Sequence, residues 1–255
     1  MMAGGAPRIH PTALVDPRAE IDSSVEIGPY CVVGPGVVIG AGTRLASHVI
    51  VEGPTFIGRG NALGSFAVLG GEPQHKRNQG GPSRLVVGDS NVIREHVTIH
   101  RGTDGGTTSV GSHNLLMVGS HVAHDVSVGS HATIANGVQL AGHAVVEDHA
   151  TFGGLAGVAQ RVRVGESAFV AAGAMVERDV PPFVIVQGDR ARVRALNKVG
   201  LRRRGVSDES IATLERAFRA IFASGRPQGE VARALGQAPI ADPFVAKLVA
   251  AIARR

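Results

Sequence analysis

The sequence predicts a mainly β chain: a parallel β-helix of hexapeptide repeats, then a small C-terminal α-helical domain. Three observations predict it. An aliphatic residue recurs at every sixth position through most of residues 9–176. Glycine is abundant and large rings are scarce, with 35 Gly, eight Phe, one Tyr and no Trp in 255 residues. Past about residue 185 the periodicity becomes helical and the charge balance changes sign.

The repeat comes first in the chain. Counting by six from Ile9, every position to Leu69 is Ile, Val or Leu. The register returns at Val87, Ile93 and Ile99, then runs from Val110 to Val176 with Phe152 its one aromatic member. A period of six is neither helical nor simple strand alternation; it is the pattern of a parallel β-helix. Three short strands close one triangular coil, so a coil takes about 18 residues and coils stack at roughly 4.8 Å. Each aliphatic side chain points inward, and the small residue after it, as in Gly28, Gly34 and Gly40, suits a tight corner. Two stretches interrupt the register, 70–86 and 100–109. Both are polar and Gly-rich, and read either as tolerated insertions or as functional loops.

The coils stop at Asp179-Val-Pro-Pro, because consecutive prolines block both ladder and helix. Helices are expected over about 191–204, 208–224 with Ser207 as cap, 228–235 and 242–254. The domains are therefore 1–185 and 186–255. Residues 1–184 hold 12 Lys/Arg and 15 Asp/Glu, net −3; the remaining 14 and 6 give the second segment +8. That segment is the place to bind anions. One cysteine, Cys31, excludes a disulfide framework. There is neither a signal-like apolar run nor a stretch of the ~20 apolar residues a membrane span needs. A cytoplasmic protein with no integral membrane segment is expected. Without interleaved aromatics or a reading motif, the basic patch does not point to nucleic acid.

Coil arithmetic converts numbering into neighbours. His113, His131 and His149 are 18 apart and form a column at one corner. A straight column does not converge on a point as zinc ligands do, so no metal is expected. His121, His124, Gly142, His143 and Gln160 fall together on one side. This patch is either a neutral surface cluster or a site in which a histidine stands beside an exposed backbone N–H.

At these residues the sequence resembles the acyl-acyl carrier protein–UDP-N-acetylglucosamine O-acyltransferases. The matching stretches include IHPTALVD, SNVIREHVTIHRGT, NLLMVGSHVAHD, LAGHAVVED, DVPPFVIVQG and GLRRRG, in the family's order. The resemblance implies a left-handed coil and a homotrimer with sites between subunits. It also implies transfer of a (R)-3-hydroxyacyl chain from acyl carrier protein to the 3-hydroxyl of UDP-N-acetylglucosamine, the first step of lipid A biosynthesis. His124 would be the general base, Asp125 its orienting partner and Gly142 the oxyanion donor. Gln74, His75, Arg77, His121, His143 and Gln160 would contact sugar and acyl groups; Asn197, Arg203 and Arg204 would contact the diphosphate. Arg190, Arg192, Arg194, Lys198 and Arg202 would enlarge a surface for the acidic carrier protein. Ala172 would limit acyl length. No cofactor is implied beyond the phosphopantetheine on the carrier protein. The chain departs from the family's pattern at His75, where Asp is usual, and at Arg77, Ala159 and Val199. Acylation of a 3-amino sugar analogue, or another substrate for a divergent hexapeptide protein, are the alternatives.

Overall fold

The computed structural model describes residues 6–254; the outermost residues of the two expected domains, 1–5 and 255, lie outside it. Successive short strands are dealt in turn to three sheets of eleven, nine and eight strands, here faces A, B and C. One coil shows the order: Leu115–Leu116 on face A, His121–Val122 on B, Ser127–Val128 on C. Neighbours along a face are parallel and 18 residues apart, as in Val15 with Val33 and Ile134 with Phe152. The architecture is a left-handed parallel β-helix with helices at its C-terminal end.

The repeating aliphatic residues are buried from Ile27 to Val176. In the first coil, Ile9 is exposed and Val15 and Ile21 are half-buried. A second buried column lies four residues after each aliphatic position: Cys31, Val37, Val49, Ala67, Val97 and their equivalents. The asparagines of this column pair with backbone, whereas the buried Ser120 hydroxyl has no partner among the described residues. The Asn61 Oδ1 accepts from Asn91 N, Asn91 Oδ1 from Asn114 N, and Asn114 Oδ1 from Ala132 N, at 2.9, 2.9 and 2.7 Å. Their amide nitrogens donate to Gly88, Gly111 and Gly129 carbonyls, so the buried ladder is satisfied.

The glycines after the aliphatic positions have a different reason from the one expected. Gly28 does not make the left-handed turn; a Cβ on it would lie 2.8 Å from the Ala46 carbonyl oxygen of the next coil. Close approach of coils excludes a side chain there. The left-handed residue comes two positions later and is often not glycine, as at Tyr30, His48, His131 and Asp125. These side chains project from the corners and stack. Tyr30, His48, Phe66 and His96 form one ladder with centroids 4.8 to 5.1 Å apart. The expected His113–His131–His149 column forms another, at 5.0 and 4.8 Å.

Across the two interruptions the pairing offset grows. Leu69 pairs with Ile99, 30 residues on, and Val87 with Val110, 23 on; relative to 18, the insertions are 12 and 5 residues. Each leaves a face B strand (Val68–Gly71, Thr98–His100) and returns on a face C strand (Arg84–Val87, Thr107–Val110). Both loops therefore emerge from the B–C edge.

The first expected helix is mostly not helical. Val184–Gln187 adds in parallel to face A, and Arg192–Leu196 turns back antiparallel to it. Arg192-Val193-Arg194-Ala195 alternates charged and apolar, with Arg192 and Arg194 exposed and Val193 and Ala195 half-buried, which is a strand period; Leu196 after them is buried. Helix α1 starts only at Lys198 and ends at Arg203. Helices α2 (Asp208–Phe222), α3 (Gln228–Leu235) and α4 (Pro243–Ala253) follow. Ser207 Oγ caps α2 through Ser210 N at 3.2 Å, and Asp242 caps α4. They share a core of Phe183, Leu196, Leu201, Leu214, Leu248 and Ile252. No described helix is long and apolar enough to cross a membrane.

Candidate active site

His124 sits at the B–C edge, where both loops emerge, and is only 4% exposed. Its Nδ1 is 2.9 Å from Asp125 Oδ2. The second loop completes this pair: Thr103 donates to the Asp125 carboxylate from Oγ1 at 2.7 Å and from its backbone N at 3.2 Å. Thr108 Oγ1 accepts from Asp125 N at 2.8 Å and holds its left-handed backbone. Burial pushes the Asp125 carboxyl upward, but the bonds from His124 and Thr103 outweigh it and hold the group below the ordinary carboxylate range. An ionised carboxylate can only accept, so His124 donates to it from Nδ1 and turns Nε2 away from Asp125.

Gly142 lies one coil further on. A Cβ built there would fall 2.6 Å from His124 Cε1 and 2.8 Å from Nε2, so only glycine leaves the ring in place. Its carbonyl accepts from Arg161 N, while its own N–H has no acceptor among the described residues. The equivalent amides at the other edge are often paired with side chains, as Ser112 N is with Ser130 Oγ; here the amide's residue stands beside the His124 ring.

A groove of about 580 Å³ runs from this edge along face B. Gln74, His121, His124, Gly142 and Gln160 line its upper part. Gln139, Gly157 and Met175 follow one another coil by coil along its floor. His75 stands on the first loop with its ring 5.2 Å from His124, and His143 is 5.2 Å away on another side. Arg77 lies exposed in the same loop. Burial pushes the His121 and His143 imidazoles below their ordinary value, with Asp125 partly opposing this at His143. His121 Nδ1 is 2.7 Å from Thr98 Oγ1. Sequence reasoning missed His100, whose ring meets His121 edge-on; burial pushes its pKa down to about 4 and its Nδ1 has no partner among the described residues.

The other expected site residues are elsewhere. Asn197, Arg203 and Arg204 line a second cavity of about 550 Å³ on face A, with His131, His149, Thr133, Thr151 and Phe169. A single chain does not bring them to His124. Asn197 is buried and caps α1: its Oδ1 accepts from Gly200 N at 3.0 Å and its Nδ2 donates to Ser167 O at 2.9 Å. Arg204 is anchored on Glu166 and on Ser167 Oγ, with Phe244 beneath its guanidinium. Of the flanking cations, Lys198 pairs with Glu215, which Arg219 shares, and Arg202 pairs with Asp208. Ala172 is exposed on the A–B edge and lines neither cavity.

Comparison with known proteins agrees with this architecture. Residues 179–255 match the family model described as UDP N-acetylglucosamine O-acyltransferase, domain 2, and residues 6–41 match the bacterial transferase hexapeptide model. The acyl-[acyl-carrier-protein]–UDP-N-acetylglucosamine O-acyltransferase of Halorhodospira halophila is 50% identical over 90% of each chain. The enzyme of that name from Synechocystis sp. is 45% identical over 94% of this chain and 87% of its own. The solved structure of LpxA from Acinetobacter baumannii superposes with a TM-score of 0.92 at 40% identity, covering 96% of both chains. A coiled scaffold, a His–Asp pair facing an unpaired backbone amide and this similarity over nearly the whole length converge: the chain belongs to the acyl-[acyl-carrier-protein]–UDP-N-acetylglucosamine O-acyltransferase family.

Proposed function

We propose that the protein transfers a (R)-3-hydroxyacyl chain from acyl carrier protein to the 3-hydroxyl of UDP-N-acetylglucosamine, opening lipid A biosynthesis in the cytoplasm. The observation that carries this reading is the His124–Asp125 pair facing Gly142 at the head of a groove. His124 Nε2 takes the proton of the sugar hydroxyl as its oxygen attacks the thioester carbon. Imidazole suits this transfer because its usual pKa, about 6.5, lies near neutrality. Asp125 holds the tautomer and stabilises the imidazolium. The Gly142 N–H stabilises the oxyanion. When that intermediate collapses, the imidazolium returns its proton to the departing phosphopantetheine thiolate. Direct transfer of this kind needs no metal or organic cofactor.

The sugar nucleotide is shared between subunits of a homotrimer. His124 and its neighbours lie on the B–C edge and face B of one chain, whereas Arg203 and Arg204 line face A. Packing face B of one copy on face A of the next unites them. Three such contacts close a ring, in which the A–B edge faces the symmetry axis. That edge carries Ala172, which limits acyl length where the chain passes between subunits. Arg190, Arg192 and Arg194 offer the acidic carrier protein a basic docking surface.

The test is transfer of 3-hydroxyacyl chains of graded length from acyl carrier protein to UDP-N-acetylglucosamine and to its 3-amino analogue. Product with the 3-hydroxyl sugar, lost in His124→Ala, supports the reading. Product only with the amino sugar would reassign the acceptor. Undiminished transfer in the variant would remove His124 from its role.

A further inference from the structure

His124, Asp125 and His143 each present a ligand atom within 4.8 Å of the other two. Asp125 Oδ2 lies 2.9 Å from His124 Nδ1 and 3.7 Å from His143 Nε2. Tetrahedral zinc with bonds of about 2.0–2.1 Å holds its ligand atoms about 3.3 Å apart, between these two values. Two imidazoles and a carboxylate are ligands zinc accepts, leaving one position open. The His75 ring, 5.2 Å from His124, brings a third imidazole to the same edge. The His113–His131–His149 stack is different. Its rings lie parallel, within 9° and 5°, along the coil axis, so they do not converge.

We propose that this cluster is an inhibitory site for a zinc-class divalent cation. The ion binds His124 Nδ1, Asp125 Oδ2 and His143 Nε2, with His75 or water completing the shell. Binding moves the Nδ1 proton of His124 to Nε2, so no proton is lost from the protein. Nε2 then holds a proton and can no longer accept one from a hydroxyl. Asp125 is bound at the same time and ceases to orient the ring.

Inhibition rests on the assignment of His124 as base, but binding does not. The first measurement is therefore binding: Zn²⁺ titration by calorimetry on the intact protein, and Co²⁺ substitution followed by visible absorption. One ion per chain and a tetrahedral Co²⁺ spectrum are expected. His143→Gln should weaken Zn²⁺ binding at least about tenfold. His75→Asp should weaken it less, and His131→Gln should leave it unchanged, with circular dichroism confirming each fold. Zn²⁺ should also suppress acyl transfer, with recovery on adding a chelator. Absence of saturable binding would overturn the proposal, as would affinity unmoved by His143→Gln or lost in His131→Gln. Tight binding at this cluster without loss of transfer would overturn its inhibitory role and, separately, the role of His124 as base.

Discussion

The chemistry rests on few atoms. Asp125 holds the Nδ1 side of the His124 ring, and the bonds from His124 and Thr103 outweigh burial and keep the Asp125 carboxyl below the ordinary carboxylate range. Asp125→Asn can present an N–H to the ring and stabilise the wrong tautomer. Its kcat should fall about 10²–10⁴-fold with little change in the KM for UDP-N-acetylglucosamine, measured by steady-state kinetics. Gly142→Ala should be as damaging, because its methyl would overlap the ring of His124. A kcat near wild type there would place the imidazole elsewhere during reaction. The 18-residue arithmetic made His121, His124, Gly142, His143 and Gln160 legible as neighbours, since coil position alone fixes them. Thr103 was not legible. It lies in an insertion, where the periodicity gives no register, and only its bonds to Asp125 reveal it.

At the scale of elements, the coils were read correctly because each has one inward side chain repeating at fixed spacing. The hairpin before α1 was misread, because a five-residue strand is too short to separate from a helical turn by pattern. The tertiary edge of face A decides it. Asn197, expected at the nucleotide, lines the cavity with Arg203 and Arg204 and also caps α1 and ties it to Ser167. Asn197→Ala should cost about 1–2 kcal/mol in chemical denaturation, the loss of a cap and a buried partner. It should also raise the nucleotide KM, because α1 carries Arg203 and leads into Arg204. Glu166 joins this end together, accepting from Arg204 and from Lys247 of α4. Burial raises its pKa, but those two cations outweigh burial and hold it below the ordinary carboxylate value of 4.5. A depressed carboxyl stabilises the fold above its unfolded pKa, and that stabilisation is lost as pH falls through the lower folded value. Thermal melts should therefore show wild type losing stability below about pH 4.5, with a shallower decline in Glu166→Gln. An identical decline in the two proteins would mean that Glu166 does not contribute to acid sensitivity.

The whole molecule explains why the expected site residues are divided. His124 lines the groove on face B, whereas Arg203 and Arg204 line the cavity on face A, so one prism turns them in different directions. Sequence spacing could place residues on faces, but the proposed pairing of those faces involves a second chain, which the spacing of one chain does not encode. The measurement that tests the shared site most directly is co-expression of His124→Ala with Arg203→Ala, each inactive or nearly so alone. In randomly mixed trimers about one site in four would draw an intact His124 from one subunit and an intact Arg203 from its neighbour. Transfer activity of the purified mixture near one quarter of wild type is the expected result. A mixture no more active than the two variants measured separately would contradict a site built between subunits.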